Sequence, residues 1–237
     1  MTSPWHIGTV VHTRAITPTG RAITLAVPGF AGALPGQHVD LRLTAPDGYQ
    51  AARSYSLAAV GTDERVDIAV DELADGEVST YLVEDARVGD QMEVRGPLGG
   101  YFVWHLDDPR PVLLVAGGSG IAPFLSMVRA RKAEGSSAPF RLVYSVRTPE
   151  DVWFADELAA DDGVRVSVLY TRSAPAGWPR RPHRLTADDL LAPGFAPQDQ
   201  PHVFVCGSTG FVEAAATLLT GVGHDPAHIK TERFGGA

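Results

Sequence analysis

From Thr9 to about Val103, short runs rich in Val, Ile, Thr and Leu are broken by the turn signals Pro18-Thr19-Gly20, Pro35-Gly36, Pro46-Asp47-Gly48, Gly89-Asp90 and Gly96-Pro97. β-branched runs closed off at such short intervals predict an antiparallel sandwich or barrel. The one helical candidate in this half covers residues 79–84, introduced by Asp75-Gly76-Glu77-Val78, with Ser79 as its N-cap. Beyond Asp107-Asp108-Pro109-Arg110-Pro111 the rhythm changes. Buried-strand runs at 112–116, 141–145, 164–170 and 202–206 alternate with helical stretches at 123–134, 153–160, 186–191 and 210–222. That alternation predicts a doubly wound parallel sheet. The Pro-bracketed segment marks the boundary, giving an antiparallel β-barrel domain over residues 1–107 and an α/β domain over residues 108–237.

Composition narrows the functional classes. A length of 237 residues suits two ordinary domains, and 44% hydrophobic against 20% charged residues is enough to pack both. The net charge of -8 disfavours the broad basic surface that nucleic-acid binding needs, so any phosphate chemistry belongs to local sites. No apolar run approaches the ~18 residues that span a bilayer, and the N-terminus lacks a basic cluster followed by an apolar core. The expectation is a soluble cytoplasmic protein without a membrane or nucleic-acid partner. Cys206 is the lone cysteine, so the chain forms no internal disulfide and cannot itself ligate an iron-sulfur cluster. His224 and His228 have the spacing of a helical metal pair, but Pro226 lies between them, and no metal site is expected.

Two stretches carry chemistry. Arg53-Ser54-Tyr55-Ser56 offers a guanidinium that can fork onto phosphate, an aromatic face for an isoalloxazine plane and a hydroxyl for a ring nitrogen. On a strand Arg53 and Tyr55 share one face and Ser54 and Ser56 the other. Gly76-Glu77-Val78-Ser79 follows an extended stretch at 66–70 and opens a short helix, where free N–H groups, a glycine and the Ser79 hydroxyl can receive a pyrophosphate. In the second half, the strand at 112–116 runs into Gly117-Gly118-Ser119-Gly120-Ile121-Ala122-Pro123 and then a helix, placing backbone amides under a dinucleotide pyrophosphate. The third glycine of the usual dinucleotide fingerprint is replaced by Pro123. Val203-Phe204-Val205-Cys206-Gly207-Ser208 ends another strand at the same carboxyl edge. Two further strand ends carry Arg147 and the pair Thr171-Arg172, and an arginine there suits a coenzyme 2'-phosphate.

Over essentially the whole chain these residues resemble the ferredoxin-NADP reductase family, the stand-alone bacterial members in particular. Arg53-Ser54-Tyr55-Ser56 is similar to its Arg-x-Tyr-Ser flavin motif, Gly76 to Ser79 to its Gly-x-x-Ser pyrophosphate motif, and Gly117 to Pro123 to its Gly-Gly-x-Gly-Ile-Ala-Pro loop. Pro35-Gly36-Gln37 and Gly96-Pro97-Leu98-Gly99-Gly100-Tyr101-Phe102 resemble structural turns of its barrel. The resemblance implies FAD, with FMN the lesser alternative, and backbone contacts from Ala69 and Val70. It implies that Cys206 and Gly207 line a nicotinamide pocket, with Cys206 as a positioning residue. Thr171-Arg172 resembles the Ser-Arg pair that holds the 2'-phosphate of NADPH, with NADH as the other candidate. The terminal Glu232-Arg233-Phe234 resembles the Glu-x-aromatic whose ring covers the flavin and whose carboxylate assists proton movement, although Gly235-Gly236-Ala237 follow it here.

The implied activity is hydride transfer from NADPH or NADH, in a cleft between the domains, to a bound flavin tuned by Ser56 and Glu232. Single electrons then pass to a separate ferredoxin or metalloenzyme. A reductase of free flavin and a non-catalytic redox-sensing flavoprotein subunit remain as alternatives.

Overall fold

The computed structural model describes residues 3–60, 64–161 and 163–234. The chain forms two compact units, Met1–His105 with Ala122–Ala130, and Leu106–Ile121 with Arg131–Ala237.

The first unit is built on six antiparallel strands: β1 (Trp5–Ala15), β2 (Gly20–Ala26), β3 (His38–Thr44), β4 (Gln50–Ser56), β5 (Arg65–Asp71) and β6 (Gln91–Leu98). Their order is β4-β3-β6-β1-β2-β5. A Leu57–Ile68 bridge and a 2.8 Å bond from Ala58 N–H to Asp67 O join the two ends of the sheet, so it closes into a barrel. Alternation fills it. Val10, Ile23, Leu25, Val39, Leu41, Val66, Ile68 and Val94 point inward and are buried, while most of their strand neighbours, Thr24 and Ala69 excepted, are more accessible. The expected turns hold the strands apart. Gly36, at φ +95, packs so closely on the Phe102 carbonyl that a Cβ there would lie 2.1 Å from its oxygen, so only glycine fits.

After β5 a single helical turn, α1 (Glu77–Thr80), continues into a wider π-turn at Tyr81–Asp85. The helix starts earlier than the sequence suggests. Gly76 is the N-cap, and Ser79 is the third helical residue, its hydroxyl accepting from Leu73 N–H and donating to the Gly76 carbonyl, both at 3.2 Å. That hydroxyl fills the space a side chain at Gly76 would need, 2.3 Å from an added Cβ.

The second unit holds the parallel strands β7 (Val112–Gly117), β8 (Phe140–Val146), β9 (Val164–Tyr170), β10 (His202–Ser208) and β11 (Ile229–Phe234), in the order β11-β10-β7-β8-β9. The helix α2 (Ala122–Ala133) follows β7 in the chain, with residues 122–130 grouped in the first unit, and α3 (Ala155–Ala159), α4 (Ala187–Leu190) and α5 (Thr209–Gly221) connect the later strands. β7 and β8 are buried along almost their whole length, as strands covered on both faces must be. Along α5, Val212, Ala215 and Leu219 recur at helical spacing and enter the core beside Leu113, Val203 and Val205. The chain winds outward from β7 through β8 to β9, then returns to β10 on the other side. The carboxyl ends of β7 and β10 therefore flank the point where the winding reverses, the place where open α/β sheets bind ligands. β11 was not foreseen: residues 229–234 pair in parallel register with β10 along its length. Residues 235–237 lie outside the described residues.

Candidate functional site

β4 is the edge strand that carries the flavin motif. In its register with β3, Tyr55 stands opposite Val39 and Arg53 opposite Leu41, whereas Ser54 faces Asp40 and Ser56 faces His38. Directly opposed residues share a face, so Tyr55 leans on the barrel core, which half-buries its ring and pushes its phenol pKa up. The Arg53 guanidinium is exposed and, among the described residues, donates only to the adjacent Ala52 carbonyl at 2.7 Å, which leaves most of its donors for an anion. Ser54 is committed elsewhere: its hydroxyl donates to Asp40 Oδ1 at 2.6 Å, and Arg95 binds the other oxygen of the same carboxylate. Burial alone would raise the Asp40 pKa, but the Ser54 and Arg95 bonds carry it below the usual carboxylate range.

Ser56 is an exception to a general rule of satisfied buried groups. It is 4% exposed, yet its Oγ has no hydrogen-bond partner among the described residues. A buried hydroxyl without a partner costs about 1–3 kcal/mol, and a ligand offering a ring nitrogen would recover it. His38, opposite Ser56 and beside Gly99, has its pKa lowered by burial against the pull of Asp40.

At the start of α1 the N–H groups of the first turn have no acceptor within so short a helix. Tyr49, from the β3–β4 turn, donates its hydroxyl to Glu77 at 3.0 Å and so ties this helix start to the hairpin that carries Arg53. Ala69 and Val70 are buried on β5, paired with Ala22 and Arg21 of β2. An exposed guanidinium, a helix start and an unpartnered buried hydroxyl on one strand and its neighbour are what a flavin with a pyrophosphate requires, and these residues fit it.

In the second unit β7 runs through Gly117 into a 3-10 turn at Gly118–Ile121, and α2 follows. A Cβ on Gly120 would lie 2.2 Å from the Cys206 carbonyl oxygen, so the turn rests directly on the end of β10. Side chains on Gly117 or Gly207 would strike the Phe211 ring at 2.7 and 2.8 Å. Gly118, at φ +54, faces open space within 4 Å. With Ser119 partly exposed between them, these glycines leave bare backbone at the reversal point, which fits a dinucleotide pyrophosphate. Phe211, in the first turn of α5, is a participant the sequence reading did not single out.

Cys206 is fully buried, with Ala116 on one side and Glu232 on the other in the strand registers. Burial first, and then the Glu232 charge, push its pKa well above that of an ordinary thiol. It stays protonated at neutral pH and is no nucleophile. Phe234 pairs with Ser208 one pleat further along β11. At the other side of the sheet the β8–β9 ladder continues past its ends: Thr171 N–H bonds the Val146 carbonyl and Arg172 N–H the Arg147 carbonyl, both at 2.9 Å. Arg147 and Arg172 thus sit side by side at the carboxyl edge, both exposed.

Among the described residues no three His, Cys, Asp or Glu side chains gather as a metal site, and no helix is long and apolar enough to cross a membrane.

Comparison with known proteins follows the same division. The oxidoreductase FAD-binding domain family matches residues 9–103, and the oxidoreductase NAD-binding domain family matches residues 114–217. The chain is 29% identical over 201 residues to the toluate 1,2-dioxygenase electron transfer component of Pseudomonas putida, covering 85% of this chain and 58% of that protein. It is 30% identical over 209 residues to the ferredoxin--NAD(P)(+) reductase component of the naphthalene 1,2-dioxygenase/salicylate 5-hydroxylase systems of Ralstonia sp, covering 84% and 60%. The chain thus spans about six tenths of the length of these relatives. Its fold is that of a ferredoxin NADP+ reductase from Neisseria gonorrhoeae solved with FAD and NADP, at a TM-score of 0.79 and 21% identity, covering 97% of this chain and 98% of that one. The chain thus belongs to the oxidoreductases in which an FAD-binding domain precedes an NAD-binding domain.

Proposed function

We propose that this chain is an FAD-dependent NAD(P)H oxidoreductase that takes a hydride from NADPH or NADH and hands single electrons to a separate redox protein, a ferredoxin or a metalloenzyme. FAD supplies the step between two-electron and one-electron chemistry. Arg53 and the start of α1 bind its pyrophosphate, Tyr55 lies along the ring, and Ser56 gives its hydroxyl to the reacting edge. Backbone from Gly118 to Gly120 takes the coenzyme pyrophosphate. Cys206 and Gly207 floor the nicotinamide position, and the Glu232 carboxylate, beside Cys206, assists proton movement there. Arg147, Thr171 and Arg172 receive the adenosine end.

The observation that carries this reading is the buried, unpartnered Ser56 hydroxyl on the strand that also presents Arg53 and Tyr55. The names of the relatives, components of multicomponent oxygenase systems, support a protein acceptor. The test is reduction of ferricyanide or a dye by the purified protein, with NADPH and NADH compared side by side. Turnover that depends on bound flavin supports the reading. A protein that reduces only added free flavin is instead a free-flavin reductase, and one that binds flavin and coenzyme without turnover is a sensor.

A further inference from the structure

The loop between β9 and α4, residues 171–186, holds four arginines and no acid, in a chain whose net charge is -8. Such a loop should spread its like charges into solvent. Instead it is pinned. His183 N–H bonds the Tyr170 carbonyl at 2.9 Å, so the loop returns to the strand it left, and Trp178 packs edge-on against Tyr170 with ring centroids 5.0 Å apart.

The pin is Asp189, whose side chain is only 1% exposed. Its carboxylate accepts Arg180 Nη1 at 2.6 Å, the Thr186 hydroxyl at 2.7 Å and the Thr186 N–H at 2.8 Å, and His183 Nε2 lies 3.2 Å from both this carboxylate and Arg180 Nη2. Its backbone is fixed as well, because Arg141, on β8, donates to the Asp189 and Leu190 carbonyls at 2.7 and 2.8 Å. Burial would raise the Asp189 pKa, but the Thr186 and Arg180 bonds bring it below the usual carboxylate range, so the Asp189 carboxylate faces Arg180 as an ion pair at neutral pH.

The clamp consumes Arg180 alone. Among the described residues no ion pair or side-chain hydrogen bond engages the guanidinium of Arg172, Arg181 or Arg184, nor that of Arg147, whose carbonyl receives the Arg172 N–H. These exposed guanidiniums are therefore available to an anion. Glu150 adds, after burial, to the upward shift of the Tyr170 phenol and is itself held by Thr148.

We propose that Asp189 is a positioning residue for coenzyme selection: through Arg180 and His183 it holds the loop so that Arg172, with Arg147 beside it, receives the phosphate on the adenosine ribose of NADPH in preference to NADH. This rests on reading the second unit as the coenzyme domain. A forked guanidinium suits a phosphate monoester, which can accept two bonds from each arginine. A merely structural clamp would affect both coenzymes alike.

Calorimetry on the FAD-loaded protein with adenosine 2',5'-diphosphate and with ADP separates these cases, because only the first bears a 2'-phosphate and bound FAD keeps both ligands out of the flavin site. Asp189→Asn should weaken adenosine 2',5'-diphosphate about tenfold, leave ADP within about twofold, and shift the NADPH to NADH ratio of kcat/KM by a similar factor. Because Asp189 also caps α4, Arg180→Met at the half-exposed end of the clamp is the second variant, expected to move the same ratio, with Arg180→Lys restoring part of it. Parallel loss of both ligands would overturn the positioning role. A wild-type protein that binds the two ligands equally would overturn the phosphate assignment, leaving these arginines for an acidic protein partner. A wild-type protein that binds neither ligand, nor NADH, would remove the coenzyme reading itself.

Discussion

Gly120 lies against the Cys206 carbonyl so closely that a methyl group on it would stand 2.2 Å from that oxygen and 2.7 Å from the Gly207 nitrogen. The contact joins the two sides of the reversal point, the turn after β7 and the end of β10. Gly120→Ala must push them apart, at a cost of about 1–3 kcal/mol for an overpacked site. Coenzyme affinity measured by calorimetry should fall about tenfold or more, while FAD bound per chain stays unchanged, since the flavin residues belong to the other unit. Unchanged coenzyme affinity would show that this turn does not hold the pyrophosphate.

Ser56→Ala should separate stability from function. Removing a buried hydroxyl that has no partner in the flavin-free protein relieves a desolvation penalty, so the melting temperature of the flavin-free protein should hold or rise. Hydride transfer to bound FAD, followed by rapid mixing, should slow by about 10- to 100-fold, as expected on losing a hydrogen bond worth ~1.5–3 kcal/mol at the reacting edge. A drop in melting temperature with full activity would place the hydroxyl in the fold rather than in the reaction.

Among the described residues the Arg53 guanidinium makes one bond, to its neighbour's carbonyl, and is exposed. Arg53→Ala should therefore change the stability of the flavin-free protein by no more than about 0.5 kcal/mol. Flavin retention through gel filtration should fall sharply, with an affinity loss of roughly 10-fold or more for a charge-assisted contact to phosphate. Full FAD content in the variant would refute its anchoring role.

Burial lowers the pKa of His38, His202 and His224 below the ordinary value of 6.5; in His38 Asp40 opposes this, and in His202 chiefly Asp108. For groups shifted in this direction the folded state binds fewer protons than the unfolded state as the pH falls. Their contribution to stability is complete above about pH 6.5 and is lost as the pH drops through the folded values. The melting temperature should thus decline from about pH 7.5 to pH 5. His224 is buried, and its Nε2 has no partner among the described residues, so His224→Gln should flatten that slope. An unchanged slope would show that His224 does not titrate across folding.

Much of this was legible in the sequence because it is written locally. The apolar runs of β7, β8 and β9 are long enough to be buried strands on either side of turn-forming residues, and the motifs at Arg53 to Ser56 and Gly117 to Gly120 lie on the elements their spacing suggests. β11 escaped notice because Lys230, Thr231, Glu232 and Arg233 dilute its apolar positions, as an edge strand covered on one side permits. The start of α1 was misplaced because Ser79 has the composition of a cap but uses its hydroxyl to brace the turn before Gly76. The pairing of Ser54 with Asp40, and the facing of Ser56 by His38, depend on register between strands, which no local pattern records. The Asp189 clamp was half visible: Thr186 and Asp189 have the spacing of a capping pair, but Arg180 and His183 reach it only because the loop turns back onto Tyr170.

The central claim is that one chain binds FAD tightly and accepts a hydride onto it from a nicotinamide coenzyme. Anaerobic mixing of the purified yellow protein with stoichiometric NADPH, and separately with NADH, tests it most directly through the flavin absorbance. The account predicts stoichiometric bleaching within the time of a catalytic cycle, recovered on adding a one-electron acceptor. A protein that takes up no FAD, or whose bound flavin keeps its colour with both coenzymes, would contradict it.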